Sequence, residues 1–232
     1  MLHRIFKAIK AILPDKLAAW LRSFFTAVCT PAYFSYLNGH FKSSFLNKSV
    51  ASTGEALPWY TYPAVDFLRT RDFSDKTILE FGGGQSTLWW AKRAKNVITL
   101  EEDGNWYEML KRTIPSNAKL FLISKESREK CVAEVESALK TLEIPHYDVV
   151  IIDGLFREQM VDIACRVVRP EGAIICDNAE GYGFYDGFKD RRLKRVDFFG
   201  HAPGVIFPHC TSIFFGNNCF LFDAHQEIPT RR

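Results

Sequence analysis

An α/β fold on a mostly parallel sheet is predicted by three features of the sequence. Short Val/Ile/Leu-rich runs alternate with helix-period segments, a glycine triplet closes the first run, and acids close or follow several others. The runs Thr77–Phe81, Asn96–Leu100, Lys119–Ile123, Asp148–Ile152 and Ala173–Cys176 read as strands covered on both faces. The segments near Ser86–Ala94, Asn105–Arg112, Glu126–Leu142 and Glu158–Val168 read as the helices that cover them. After residue 185 the alternation stops. Arg195–Phe199, Thr211–Phe215 and Cys219–Phe222 read as strands with little helix between them, and Gly216-Asn217-Asn218 supplies a turn. An antiparallel C-terminal edge to the sheet follows.

The first third of the chain reads differently. Leu2, Ile5, Phe6, Ile9, Ile12 and Leu13 recur at helical spacing opposite Arg4, Lys7 and Lys10, and Pro14 stops the pattern. Asp15 is placed to cap a second helix, in which Leu17, Trp20, Leu21, Phe24, Phe25 and Val28 form the apolar set and which is expected to end near Pro31. Residues 35–62 are polar and irregular until Trp59-Tyr60-Thr61-Tyr62, and Pro63 opens a short helix to about Leu68. Residues 1–57 are therefore expected to be a helical or irregular appendage on a domain of residues 58–232.

Composition bounds the function. The 232 residues are 47% apolar and 25% charged with a net charge of only +3, which gives no reason to expect nucleic acid as a partner. Residues 1–50 carry seven Lys or Arg against Asp15 alone, +6, so the remainder is −3. The basic amphipathic stretch over residues 1–13 suits peripheral contact with a membrane, packing on its own domain, or a homodimer contact. Six scattered cysteines without a Cys-x-x-Cys pair fit reduced thiols in a cytoplasmic protein. Ser23 to Phe41 lacks charge, but Pro31, Asn38 and Gly39 break it as a spanning helix, and no cleavable leader is expected.

The chemistry concentrates at Glu80-Phe81-Gly82-Gly83-Gly84-Gln85-Ser86, between a strand and a helix, where glycines let a nucleotide approach the backbone. The third glycine of the dinucleotide fingerprint is missing, Thr87 standing there. The acid Glu80 would repel a pyrophosphate but suits a ligand bearing a sulfonium and an amino group.

Together with Ile98-Thr99-Leu100-Glu101 and Ile152-Asp153-Gly154, this turn resembles the class I S-adenosylmethionine-dependent methyltransferases, whose first motif reads acid-x-Gly-x-Gly. The resemblance covers roughly Pro58 to Phe215 and extends, through Leu57-Pro58-Trp59-Tyr60-Thr61-Tyr62-Pro63, to a bacterial branch of them. It implies a Rossmann-like, seven-stranded sheet and S-adenosyl-L-methionine as cofactor, held by Glu80, Phe81, Gly82, Gly83, Gly84, Ser86, Glu101 and Asp153. Glu101, 21 residues after Glu80, would accept from the ribose hydroxyls, with Glu102 as competitor if the strand runs one residue longer. Ser124-Lys125-Glu126 stands where the family contacts adenine, and equally reads as a helix start.

Asp153, Asp177 and Asn178 are the expected catalytic residues. They match the constellation that ligates magnesium in catechol-type O-methyltransferases, although Phe156 stands where those enzymes carry a lysine. A loop acid and amide that hold substrate or backbone, without a metal, is the other reading and the one adopted. Arg157 is placed to neutralise an acidic substrate or to pair with Asp153. His201 and His209 are available as general bases. Trp59, Tyr60, Tyr62, Tyr182, Phe184 and Tyr185 are expected to wall an acceptor pocket, and Trp89, Trp90, Trp106 and Tyr107 to be core. The expected acceptor is a small molecule or a glycan. A cofactor-binding module without catalysis and a nicotinamide-dependent oxidoreductase are the alternatives.

Overall fold

The computed structural model describes residues 14–228, so the helix expected over residues 1–13 lies outside the described residues. Helix α1 spans Asp15–Leu37 and α2 His40–Leu46. Helix α3, Tyr62–Leu68, then leads into β1 (Thr77–Phe81), α4 (Gln85–Ala91), β2 (Asn96–Glu101), α5 (Gly104–Lys111) and β3 (Ala118–Leu122). The second half contains α6 (Arg128–Leu142), β4 (Tyr147–Ile152), α7 (Arg157–Val167), β5 (Val168–Cys176), α8 (Phe184–Phe188), β6 (Lys194–Gly200) and β7 (His209–Phe215). The seven strands form one sheet in the order β3-β2-β1-β4-β5-β7-β6. Every pair is parallel except those that β7 makes with β5 and β6, so this is the Rossmann-like class that the motif order implies.

Each central strand is apolar on both faces because helices cover both. Val149 and Ile151 of β4 face one cluster with Phe73, Trp89 and Trp90, while Val150 and Ile152 face another with Met160, Phe184 and Phe214. On β1 the same alternation sends Leu79 and Phe81 to the second cluster. Ile78 joins the first. Glu80 thus faces the side of α4, inside the protein.

Five expectations are corrected. Cys219–Phe222 is not a strand: Phe220–Phe222 is a 3₁₀ turn whose Phe222 stacks on Phe215 at 4.2 Å, so its apolar residues cap the sheet instead of extending it. Helix α1 does not end near Pro31 but carries that proline internally, its last turns anchored by Phe34 edge-on to Tyr62 at 5.4 Å. Asp15 is the first helical residue, an acid in the first turn, and Pro14 occupies the cap position without a side-chain bond. Residues 35–62 are less irregular than expected, since α2 lies within them, fixed by the Ser43 hydroxyl that donates to the Val50 carbonyl at 2.9 Å. β5 also begins earlier than its apolar run, at Val168, where the register against β4 slips at Tyr147/Val149. Gly172 permits this, because a Cβ there would lie 2.5 Å from the Asp148 carbonyl.

The first cluster centres on Trp90, fully buried, edge-on to Phe73 at 4.9 Å and to Trp89 at 4.6 Å, with its indole N–H donating to the Tyr60 hydroxyl at 3.3 Å. Trp90→Ala is expected to lower stability by about 3–5 kcal/mol, read as a shift in the urea midpoint. A midpoint equal to the parent's would contradict this account of the core.

Candidate functional site

The strand order reverses between β1 and β4, and open α/β sheets bind ligands beyond the carboxyl ends of their strands at such a point. A cleft of about 480 Å³ opens there, floored by the glycine turn and the ends of β2, β4 and β5.

The three glycines serve different ends. Gly82 has φ +86°, and a Cβ on it would fall 2.5 Å from the Gly154 backbone, so it lets the turns after β1 and β4 nest together. A Cβ on Gly83 would strike Thr99 Cγ2 at 2.7 Å and Leu110 Cδ1 at 2.9 Å. Gly84 alone faces open space, with nothing within 4 Å of that position. All three N–H groups are already bonded inside the protein. Gly82 donates to the Leu100 carbonyl at 2.8 Å, Gly83 to Glu101 Oε2 at 2.5 Å and Gly84 to Thr87 Oγ1 at 3.1 Å.

Acids crowd around the turn. Glu80 is fully buried; its Oε2 accepts from Thr87 Oγ1 at 2.5 Å and Thr99 Oγ1 at 2.8 Å, while its Oε1 has no hydrogen-bond partner. Burial pushes its carboxyl up to about 7 against the pull of the Ser86, Thr87 and Thr99 hydroxyls. Glu101 is likewise pushed up to about 7, first by burial and then by the Glu102 charge, although it accepts from the Gly83 and Asp103 N–H groups. Glu102 is also raised by burial, and its Oε1 accepts from the Leu155 N–H at 2.6 Å. Asp153 is held well above the carboxylate range by burial and by the nearby Asp177 charge.

One guanidinium answers these acids. Arg157, buried, pairs with Asp153 Oδ1 at 2.9 Å and donates to the carbonyls of Gly154 at 2.9 Å, Asp177 at 2.5 Å and Asp153 at 3.1 Å. It also donates to Asn178 Oδ1 at 3.2 Å and lies 4.4 Å from the ring centre of Tyr182. The loops after β4 and β5 are thereby tied through one side chain. Asp177 Oδ1 accepts from Thr211 Oγ1 at 2.7 Å and lies 3.5 Å from His209 Nε2. Burial alone would lower the imidazole pKa, but Asp177 and Glu180 outweigh it and raise it.

Of the residues proposed from sequence, Gly82, Gly83, Gly84, Ser86, Glu101, Asp153, Asp177 and Asn178 line the cleft. Glu80 and Phe81 stand behind it, the first supporting the turn and the second in the core. β2 runs one residue longer than expected, and both Glu101 and Glu102 reach the cleft. Among the aromatics, Trp59 lines the cleft, whereas Tyr60, Tyr62 and Phe184 are buried and Tyr185 is exposed elsewhere. Trp106, expected as core, lines the cleft edge-on to Trp59 at 6.3 Å, because it sits on the first turn of α5 just past the end of β2. Lys125 also reaches it, paired with Asp103 at 3.1 Å, while Ser127 rather than Ser124 or Glu126 caps α6. His209 lines the cleft; His201 does not, its ring lying 6.4 Å from that of His40.

The magnesium constellation does not fit these donors. The Arg157 guanidinium already contacts Asp153 and Asn178, Asp177 Oδ1 is taken by Thr211, and no cluster of three His, Cys, Asp or Glu suited to a metal occurs among the described residues.

No family model and no curated protein matches the chain. Solved structures similar to it include a precorrin-6y C5,15-methyltransferase from Geobacter metallireducens, 16% identical over 67% of this chain and 87% of that one, with a TM-score of 0.49. A precorrin 8w decarboxylase from Methanobacterium thermoautotrophicum is 16% identical over 68% and 91%, with a TM-score of 0.45. A methyltransferase-like protein from Silicibacter pomeroyi is 18% identical over 68% and 90%, at 0.47. At these values they bear on neither activity nor acceptor.

Because Arg157 is the cation inside this cluster, Arg157→Met is expected to destabilise the protein by about 3–5 kcal/mol at neutral pH in urea denaturation. Without Arg157 the Asp153 carboxyl is pushed up further and keeps its proton, so the loss is expected to come from the hydrogen bonds that tie the two loops and to change little as pH falls. Arg157→Lys is expected to recover less than half, an ammonium being unable to span both loops. An unchanged midpoint in Arg157→Met would show that the two loops do not depend on this side chain.

Proposed function

We propose that the cleft binds S-adenosyl-L-methionine and that the chain is a methyltransferase acting on a small-molecule or glycan acceptor. The observation that carries this reading is the polarity of the turn. Its three glycine N–H groups are spent on internal acceptors, and Glu80, Glu101, Glu102 and Asp153 crowd around it against a single guanidinium. A pyrophosphate would meet carboxylates and no free donor from this triplet, which disfavours a nicotinamide dinucleotide; a sulfonium and an ammonium would meet the acceptors they need. The orphaned Glu80 Oε1 adds unbalanced negative character beneath the site.

In this reading Gly84 gives the cofactor its close approach to the backbone, Glu101 accepts from the ribose hydroxyls, and Trp106 and Lys125 flank the base. Bound, the cofactor supplies an electrophilic methyl carbon on a sulfonium, so the protein's task is to align the acceptor and exclude water. Asp153, Asp177 and Asn178 lie beyond the turn, toward the acceptor side, and Arg157 fixes their carbonyls and side chains so that the acceptor meets preset partners. Where the acceptor is a hydroxyl or an amine, the Asp177–His209 pair is placed to take its proton. Trp59 offers an apolar ring face at the rim for a sugar or an aromatic acceptor. Of the likeness to catechol-type enzymes, the positions of Asp153, Asp177 and Asn178 are retained in this proposal and the metal is not.

Calorimetric titration tests this directly. Gly84→Val, which adds bulk where the turn faces open space, is expected to abolish S-adenosyl-L-methionine binding at an unchanged melting temperature. Glu101→Ala is expected to weaken binding by about 1–3 kcal/mol, and Glu102→Ala by less. Parent affinity in Gly84→Val, or binding of NAD in preference to S-adenosyl-L-methionine, would sink the assignment.

The raised carboxyls set a pH dependence. Glu80 and Glu101 shed their protons near pH 7, and a cationic ligand favours the ionised forms. Affinity is therefore expected to rise from about pH 6 to about pH 7.5, with protons released on binding in buffers of different ionisation enthalpy. Flat affinity and no proton release over that range would contradict the role given to these acids.

A further inference from the structure

Helix α1 carries an exposed apolar surface that the site does not explain. Of its 23 residues only Ala18 is buried. Leu17, Trp20, Phe24 and Val28 recur at three- and four-residue spacing, so they share one face, and that face is in the open: Trp20 is 61% exposed and Val28 58%. The opposite arc carries Asp15, Arg22, Thr26 and Thr30, while Lys16 lies at the edge of the apolar stripe beside Trp20. A contiguous apolar face of this size, rimmed by polar residues, marks a surface that meets something apolar. Apolar side chains are exposed beyond α1 as well. Phe41 and Phe45 are exposed on α2, and the loop against that helix, where Gly204 abuts Ser43 and Ser44, exposes Ile206 and Phe207.

We propose that α1 docks this protein on the surface of an anionic lipid bilayer, lying in the headgroup layer with its Leu17-Trp20-Phe24-Val28 stripe toward the acyl chains. Charge selects that occupant. The first 50 residues carry +6 while the rest of the chain carries −3, so the negative surface of an anionic membrane attracts the end that bears the stripe and repels the remainder. The side chains fit as well. Trp, Tyr and Phe favour the membrane–water boundary, and Lys16 can extend its ammonium group to lipid phosphates from the edge of the stripe. No described helix is long and apolar enough to cross a membrane, which matches a helix that lies on the bilayer. Val205 lines the cleft directly before the exposed Ile206 and Phe207, so an exposed apolar loop stands at the mouth of the site.

The test is co-sedimentation of the full chain with sonicated vesicles of phosphatidylcholine alone or with about a third phosphatidylglycerol. Binding is expected to the anionic vesicles in low salt, at least about tenfold stronger than to neutral ones, and to fall as salt rises to about 0.5 M. Trp20→Ser with Phe24→Ser is expected to reduce it at least about tenfold, and Lys16→Gln with Arg22→Gln, two of the seven Lys and Arg in the first 50 residues, to weaken its salt dependence. Both pairs of substitutions are on exposed positions, and an unchanged melting temperature identifies the effect as one on the surface. Absence of binding to anionic vesicles, equal binding by Trp20→Ser/Phe24→Ser and parent, or a dimer in vesicle-free solution that those substitutions dissolve would each overturn the proposal, the last by giving the stripe to a second copy of the chain.

Discussion

The site depends on two backbones that touch. Gly82 and Gly154, at the ends of β1 and β4, approach so closely that no side chain fits between them, and the bonds from Gly82 N–H to the Leu100 carbonyl and from Asp153 N–H to the Phe81 carbonyl lock the approach. Three strand ends are thereby brought to one place. Without that contact Glu101, Asp153 and the glycine turn would be separate loop features; with it they become one acidic wall. The rest of the fold serves to hold β1 and β4 straight, which the fully buried residues on both faces of β4 accomplish.

Given that wall, the buried charges follow a simple logic. Carboxyls removed from water resist ionisation unless something compensates them, and here the compensation is uneven. Glu80 receives two hydroxyls on one oxygen and nothing on the other, Glu101 receives two backbone donors, and Asp153 receives Arg157. The guanidinium fork spends its remaining donors on carbonyls of both adjoining loops, which a compact divalent ion could not do from the same position. Electrostatic balance and loop geometry are fixed by the same group.

Much of this was legible in the sequence, for identifiable reasons. The strands at Thr77, Asn96 and Asp148 announce themselves as apolar runs ended by Gly or acid, since a strand covered on both faces must be apolar throughout and the polar residues gather at its carboxyl end. Glu101 and Asp153, which line the cleft, are legible because they end or directly follow such runs. Trp106 was missed because helical spacing makes an aromatic look like core, although a first-turn residue directly after a strand-end acid necessarily lies at the rim. Glu80 is buried behind the cleft, a placement the sequence does not show, because position along the strand is visible in sequence whereas the face it points to depends on pleat and covering helix. Helix α1 overran Pro31 because a tertiary contact, Phe34 on Tyr62, outweighs the local rule. Cys219–Phe222 shows the converse, a strand-like composition with no strand to pair with.

β7 runs against its neighbours, so it reaches the carboxyl edge of the sheet with its first residues, where the parallel strands reach it with their last. His209 therefore enters the site from within a paired ladder, opposite Gly200, with Thr211 behind it opposite Phe198 and bonded to Asp177, whereas Asn178 and Val205 enter from loops. The cleft has one wall that cannot drift and one that can be rewritten. Insertions or exchanges in residues 178–183 and 201–208 would reshape what is admitted while leaving the ladder, and the carboxylate it holds, in place. What the cleft admits is therefore set in the loops and not in the strand.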